Sequence, residues 1–162
     1  MQNINLKIGM RNIKTVVAVF IDLLIFQILG IENPFYACIA SVLCMQQTVE
    51  DTLKAGKHRI IGTSLAAVVG LIVYYFCEHI SGPKSYIILI PLGVMFLIKL
   101  CVVLEVSSST AICCIVFISI QTTHRIYGDN NIYPLSRIFE TFIGIAVATL
   151  VNKYMNFNRP SE

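Results

Sequence analysis

Ionisable side chains within long apolar stretches are the residues of this chain that could do chemistry. Asp22 lies near the middle of the apolar stretch 16–31. Because hydrocarbon disfavours the charged form of a carboxyl group, a carboxyl placed there can bind and release a proton. Asp22 is therefore a candidate for handling a proton or a cation. The alternative is a structural hydrogen bond to a neighbouring helix.

Arg137 and Glu140 form a second charged group, at the start of the last apolar stretch. Glu140 shares one helix face with Gly144, Ala148 and Asn152, which follow at intervals of four residues. Glu140 therefore faces a packing seam, and Arg137 lies close enough on the helix to pair with it. The pair is either a structural ion pair or a contact for substrate or proton.

A polar segment follows the short apolar stretch 34–45. Polar backbone at membrane depth is tolerated only where protein or water surrounds it, so this segment predicts part of a polar pathway. We expect the helix of that stretch to continue through residues 46–48. The candidate pathway residues here are Gln46, Gln47, Thr48 and Glu50.

Thr48 and Asp51 resemble the capping box that begins a helix. The helix predicted to start after Thr48 continues into the uncharged stretch 60–76, and at about 30 residues it would be roughly 45 Å long. Gly56 lies inside it and is a possible kink site, because glycine weakens a helix.

A basic cluster precedes the uncharged stretch and consists of Lys54, Lys57, His58 and Arg59. We expect it to bind anionic lipid headgroups, with attraction of an anionic solute as the alternative, in which Arg59 would contact the substrate.

Small residues recur every four positions in two of the apolar stretches. On a helix they form a stripe against which a second helix can pack closely, which is how helices associate in lipid. The stripe residues are Gly62, Ala66 and Gly70 in one stretch and Gly144 and Ala148 in the other.

The composition is that of a membrane protein. The 162 residues are 56% hydrophobic and 13% charged, whereas soluble domains are about 25% charged. One helical span needs about 20 residues. We predict an all-α, polytopic membrane protein whose six spans lie at about 13–31, 34–48, 58–77, 86–104, 107–122 and 135–154, followed by a short polar tail at 156–162.

The break between the fourth and fifth spans rests on Glu105 and the three serines after Val106, and one long tilted span is the alternative. Most lysines and arginines fall on the side of the two termini, so both termini are expected in the cytoplasm. No cleavable signal peptide is expected, because the first apolar run is too long.

The third and sixth spans open on the same pattern. Arg59-Ile60-x-x-Thr63 matches Arg137-Ile138-x-x-Thr141. A repeated three-span unit is inverted in the membrane, as in many transporters. The alternative is a shared composition of helix starts.

Motifs for catalysis and metal binding are missing from the sequence. It has no H-E-x-x-H, G-x-S-x-G or Walker A pattern, and its six cysteines show no C-x-x-C spacing. We therefore predict no enzyme, no cofactor, no metal site and no nucleic-acid partner.

The segment 34–63, PFYACIASVLCMQQTVEDTLKAGKHRIIGT, resembles the signature of the aromatic acid exporter proteins, within the wider fusaric-acid-resistance-like family. The segment 137–154, RIFETFIGIAVATLVNKY, is similar to the sixth span of that family, and the resemblance covers about residues 6–154. It implies a six-helix module of the plasma membrane that exports aromatic or other weak carboxylic acids, driven by the proton gradient.

Larger relatives carry such modules in pairs or followed by a cytoplasmic domain, whereas this chain ends shortly after the sixth span. We therefore expect a homo-oligomer in the lipid bilayer, with a small organic anion as substrate. The alternative is a membrane scaffold or partner subunit that does not transport.

Overall fold

A computed structural model describes residues 9–31, 33–76, 86–127 and 133–155. Within these residues the chain forms α-helices and no strand, so the prediction of an all-α fold with six helices is confirmed. The helices are α1 Met10–Ile28, α2 Phe35–Cys44, α3 Val49–Phe76, α4 Tyr86–Val103, α5 Thr110–Tyr127 and α6 Tyr133–Tyr154. The polar tail at 156–162 lies outside the described residues.

Much of the exposed surface of the helices is apolar, as contact with lipid requires. Each of the six helices exposes large hydrophobic side chains, among them Phe20 at 60% and Val103 at 78%. By length and hydropathy, α3, α4 and the Pro134–Tyr154 part of α6 can each cross a membrane, and α2 and Ser107–Thr123 are shorter apolar helices. Water would oppose such exposure, so the chain is an integral membrane protein.

The end of α1 lies at Ile28, three residues earlier than predicted. Gly30 has a φ of +67°, its N–H bonds to the Gln27 carbonyl, and the N–H of Ile31 bonds to the Phe26 carbonyl. This pattern closes a helix with a left-handed residue, a conformation that glycine adopts at little cost. Gly30 therefore ends the helix.

The same kind of helix end separates α4 from α5. Glu105 has a φ of +57°, and the N–H of Val106 donates to the Cys101 carbonyl at 2.9 Å. A 3-10 turn, Ser107–Ser109, then leads into α5. The break is present, and the alternative of one long tilted span is wrong.

The segment between α2 and α3 is not helical, contrary to the prediction. α2 ends at Cys44, Met45 is extended, and the chain is non-helical as far as Thr48. The Thr48 hydroxyl accepts the Asp51 N–H at 3.0 Å and donates to Asp51 Oδ2 at 2.7 Å, which caps α3. α3 then runs from Val49 to Phe76, and its 28 residues include Gly56.

The described residues separate into two compact units. The first unit contains α1, α2, residues 49–56 of α3 and residues 142–154 of α6. The second contains residues 57–76 of α3, α4, α5 and residues 133–141 of α6. The core of the second unit packs Ala66 and Ala67 with Leu97, Cys101 and Phe117.

Candidate functional site

One face of α1 is buried and carries two ionisable side chains, Lys14 and Asp22. Its buried residues are Lys14, Ala18, Asp22 and Phe26, spaced four apart, so they form a single stripe. Lys14 is 5% exposed and Asp22 is 0% exposed. These two are the buried polar residues of α1.

The first polar group, here called the carboxyl site, consists of Asp22, Ser41 and Gly144. Ser41 Oγ lies 2.5 Å from Asp22 Oδ2 and 2.8 Å from the Gly144 carbonyl oxygen. Asp22 and Ser41 are fully buried, and no donor in the described part of the chain reaches Asp22 Oδ1. The carboxyl group thus sits where α1, α2 and α6 meet.

Gly144 is what lets α2 and α6 approach closely enough to build the carboxyl site. A Cβ atom at this position would collide with the Ala37 carbonyl oxygen and would lie 2.7 Å from Ala40 Cβ. Close helix contact through small residues is the ordinary way in which helices associate in lipid. The predicted packing residue Gly144 therefore also places its own carbonyl oxygen next to Ser41.

The second polar group, here called the break cluster, surrounds the non-helical segment between α2 and α3. Asn152 Nδ2 lies 3.1 Å from the Gln46 carbonyl oxygen, 2.9 Å from that of Thr48 and 2.8 Å from Thr52 Oγ1. Lys14 Nζ donates to Asn152 Oδ1 at 2.8 Å. One buried amide thus satisfies the peptide oxygens that an unwound helix leaves exposed.

The two groups lie at matching heights on α1 and α6. Lys14 and Asp22 are eight residues apart, and so are Gly144 and Asn152, which corresponds to about 12 Å along each helix. Because Lys14 contacts Asn152 and Asp22 is linked to Gly144 through Ser41, these stretches of α1 and α6 are antiparallel. The described first unit therefore holds a buried cation and a buried carboxyl two helical turns apart.

The second unit holds the other charged candidates. Arg137 Nη1 and Glu140 Oε2 are 2.9 Å apart, and both residues are at most 5% exposed. Arg59 is 4% exposed, so the expectation that it binds lipid headgroups is wrong for this residue. Lys54 and Lys57 are exposed and remain suited to that role.

Two hydroxyl groups in the second unit, those of Thr63 and Ser109, are buried and have no partner among the described residues. Thr63, one turn after Arg59 on α3, is 1% exposed, and Ser109 is 0% exposed. Within the described residues neither hydroxyl oxygen has a hydrogen-bond partner. A Cβ added to Gly62 would lie 3.0 Å from the Ser109 carbonyl oxygen, so α3 passes close to the turn before α5.

The remaining predicted packing residues are buried. Ala66 and Ala148 are 0% exposed, and a Cβ at Gly70 would lie 3.3 Å from Ile120 Cγ2. Gly70 has a second contact, because Gln121 Nε2 donates to its carbonyl oxygen at 2.8 Å.

The chain was compared with known protein families. The model of "Aromatic acid exporter family member 1" matches residues 6–155, nearly the whole sequence. The chain belongs to the aromatic acid exporter family. This is a family of exporters, not of enzymes, and its name agrees with the apolar helices described above.

Several curated relatives of this exporter-family chain carry the name UPF0421 protein. One from Staphylococcus epidermidis is 29% identical over 146 residues, which is 90% of this chain and 42% of the relative. One from Oceanobacillus iheyensis is 27% identical over 148 residues, 91% of this chain and 40% of the relative. One from Bacillus cereus is 28% identical over 151 residues, 91% of this chain and 39% of the relative.

The chain therefore spans about two fifths of the length of these relatives. No solved structure matches it.

Several predicted pathway residues of this exporter-family chain lie outside the buried clusters. Gln47 and Glu50 are exposed, and Thr48 contributes a helix cap and a carbonyl oxygen. Gln46 is part-buried and enters the break cluster through its backbone.

Sequence reasoning missed four residues of these clusters as site residues. Ser41 and Thr52 are short polar residues with no distinguishing pattern, whereas Lys14 shares its spacing of eight with Asp22, a signal that could have revealed it. Asn152 was recognised only as part of a helix face. No group of three metal-ligating side chains occurs among the described residues.

Proposed function

We propose that this chain is the membrane module of a proton-coupled exporter of small organic acids, with aromatic carboxylic acids as the main substrate class. The observation that carries the proposal is Asp22. It is a fully buried carboxyl in the middle of α1. One of its oxygens is hydrogen-bonded to Ser41, and the other has no hydrogen-bond partner among the described residues. Ionisable residues at such positions are costly and characteristic of proton relays.

In this mechanism Asp22 binds the incoming proton and gives it up on the other side of the membrane. A neutral carboxyl is tolerated in an apolar surrounding, whereas a charged one favours contact with water or a donor. Protonation therefore changes which packing of α1, α2 and α6 is most stable. Two packings of similar energy are what alternating access requires.

The anionic substrate needs cationic or donor groups to leave water. Arg59 and Arg137 are buried arginines of the second unit. The hydroxyl groups of Thr63 and Ser109 have no hydrogen-bond partner among the described residues and can bond to a substrate. Arginine binds carboxylates through two parallel hydrogen bonds. These residues are the proposed substrate contacts. Because Glu140 forms an ion pair with Arg137, its carboxylate competes with the carboxylate of the substrate for this arginine.

The proposed setting is the plasma membrane, with both termini in the cytoplasm and several copies assembled together. The distribution of lysines and arginines supports the orientation. Exposed hydrophobic side chains on every helix support contact with lipid and with further copies.

The experiment is flux in proteoliposomes with an imposed pH gradient. Vesicles loaded with labelled benzoate, and separately with an uncharged aromatic amide, should lose the acid faster with the protein than without it. Collapsing the gradient with an ionophore should abolish the difference, and the amide should not respond.

The matched variants are Asp22→Asn and Lys57→Gln, one at the buried carboxyl and one at an exposed cation. We expect the first to abolish gradient-driven flux and the second to leave it unchanged. Wild-type vesicles that move no acid from a panel of aromatic acids, together with recovery of one constant partner protein, would support the scaffold alternative instead.

A further inference from the structure

The carboxyl site contains more acceptors than donors if Asp22 is ionised. A serine hydroxyl carries one hydrogen, yet Ser41 Oγ lies within hydrogen-bond distance of two oxygens, Asp22 Oδ2 and the Gly144 carbonyl. A carboxylate and a carbonyl both accept and cannot donate. One of the two contacts would then join two lone pairs without a hydrogen between them.

A proton on Asp22 Oδ2 resolves both contacts. The carboxylic acid donates to Ser41 Oγ, and the Ser41 hydroxyl donates its own hydrogen to the Gly144 carbonyl. Both distances, 2.5 Å and 2.8 Å, fit O–H···O hydrogen bonds. The shorter distance alone fits either direction of donation, so the number of available hydrogens decides.

The surroundings of Asp22 agree with a neutral side chain. Among the described residues Asp22 Oδ1 has no donor, a situation that costs an ionised oxygen far more than a neutral carbonyl. The ionisable groups near it are Cys38 on α2, a thiol that interacts electrostatically with Asp22, and Lys14, two turns away on α1. On the same face of α6, Gly144 and Ala148 carry no charge, and Glu140, four residues before Gly144, is paired with Arg137.

We propose that this structure is the proton-loaded state of the chain, with Ser41 as the positioning residue that couples the proton on Asp22 to the contact between α2 and α6. Loss of the proton turns the Ser41 hydroxyl toward Asp22. Ser41 Oγ then faces the Gly144 carbonyl with a lone pair, at a point where Gly144 already holds the two helices in close contact. Deprotonation therefore loosens this contact.

The inferred proton on Asp22 does not depend on any transport activity, whereas the role of that proton in export rests on the proposed function. Asp22→Asn is informative for this reason. The asparagine amide donates to Ser41 Oγ as the carboxylic acid does, so this variant mimics the loaded state. It should keep the contact between α2 and α6 at every pH and should not transport.

Infrared spectroscopy of the purified protein in lipid tests the inference directly. The carbonyl stretch of a protonated carboxylic acid is distinct from the bands of a carboxylate. At pH 7 we expect a protonated-acid band that Asp22→Asn removes. Glu140→Gln, at the other buried carboxyl among the described residues, should leave the band in place. Ser41→Ala should move the band to higher wavenumber, because the acid loses its hydrogen-bond acceptor.

Ser41→Cys is the second variant if Ser41→Ala does not fold, and a smaller shift in the same direction is expected from its weaker acceptor. Absence of a band that depends on Asp22 would overturn the inference, as would a band unmoved by both Ser41 variants. A protonated-acid band that disappears in Asp22→Asn, in a protein that shows no gradient-driven flux, would refute the proposed function alone. Gradient-driven flux without the band would refute the proton-loaded state alone.

Discussion

The Gly144→Ala substitution tests how closely α2 and α6 pack. The added Cβ would collide with the Ala37 carbonyl oxygen and would lie 2.7 Å from Ala40 Cβ. Carbon atoms prefer a separation of about 3.5–4.0 Å, so the helices must move apart by roughly 1 Å. Because Ala37 contributes backbone, no rotation of a side chain can relieve the collision.

The expected change in the free energy of unfolding of Gly144→Ala combines two destabilising contributions and one stabilising contribution. Overpacking costs about 1–3 kcal/mol, and a weakened bond between Ser41 and the Gly144 carbonyl costs about 1 kcal/mol. Replacing glycine by alanine inside a helix returns up to about 1 kcal/mol. We therefore expect a net loss of about 2 kcal/mol, which corresponds to a fall in Tm of about 4–8 °C for a chain of this size.

The matched control is Gly70→Ala. Its Cβ would meet the side chain of Ile120 at 3.3 Å, and a side chain can shift by a few tenths of an ångström. We expect its stability to change by less than about 1 kcal/mol, because the helix gain offsets the tighter contact.

Thermal unfolding in detergent, followed with a thiol-reactive dye, suits this comparison because Cys44, Cys101 and Cys113 are buried and become reactive on unfolding. Equal melting temperatures for Gly144→Ala and Gly70→Ala would refute the close packing of α2 on α6.

Two further predictions use the same melting assay. Asn152→Leu should lower stability by about 3 kcal/mol, because it leaves the carbonyl oxygens of Gln46 and Thr48 and the Lys14 ammonium without the amide that bonds to them. Asn12→Leu, at an exposed position of α1, is its control, and an equal effect of the two changes would contradict this role. Glu105→Gly should raise stability by up to about 1–2 kcal/mol, because Glu105 is an exposed residue with a φ of +57°, which glycine adopts without strain. Its control is Glu105→Ala, which keeps the backbone strain and should not raise stability.

The break between α2 and α3 illustrates what the sequence could show. The short apolar stretch and its polar continuation indicated an interruption at membrane depth, and the Thr48–Asp51 pair marked the start of α3. The prediction that residues 46–48 stay helical was wrong, because Asn152 supplies the hydrogen bonds that those residues would otherwise need from a helix. That donor is more than 100 residues away in sequence.

The basic cluster before the uncharged part of α3 is a second case in which local sequence predicted the position of the residues but not their burial. Sequence placed Lys54, Lys57 and Arg59 together at the edge of an apolar stretch, where a headgroup role is usual. The structure buries Arg59 and exposes the two lysines. Local sequence cannot reveal this, since burial of a helix face depends on which other helices cover it.

The sequence by itself determined the solvent and the class of fold. Long uncharged stretches need hydrocarbon around them, and backbone in hydrocarbon must bond within its own helix, so composition and span length sufficed. Only the tertiary structure decided which polar residues meet. The contacts of Asp22 with Ser41 and of Lys14 with Asn152 join residues 19 and 138 positions apart. Such contacts depend on which helices pack together, and the spacing within one segment does not specify the partner in the other.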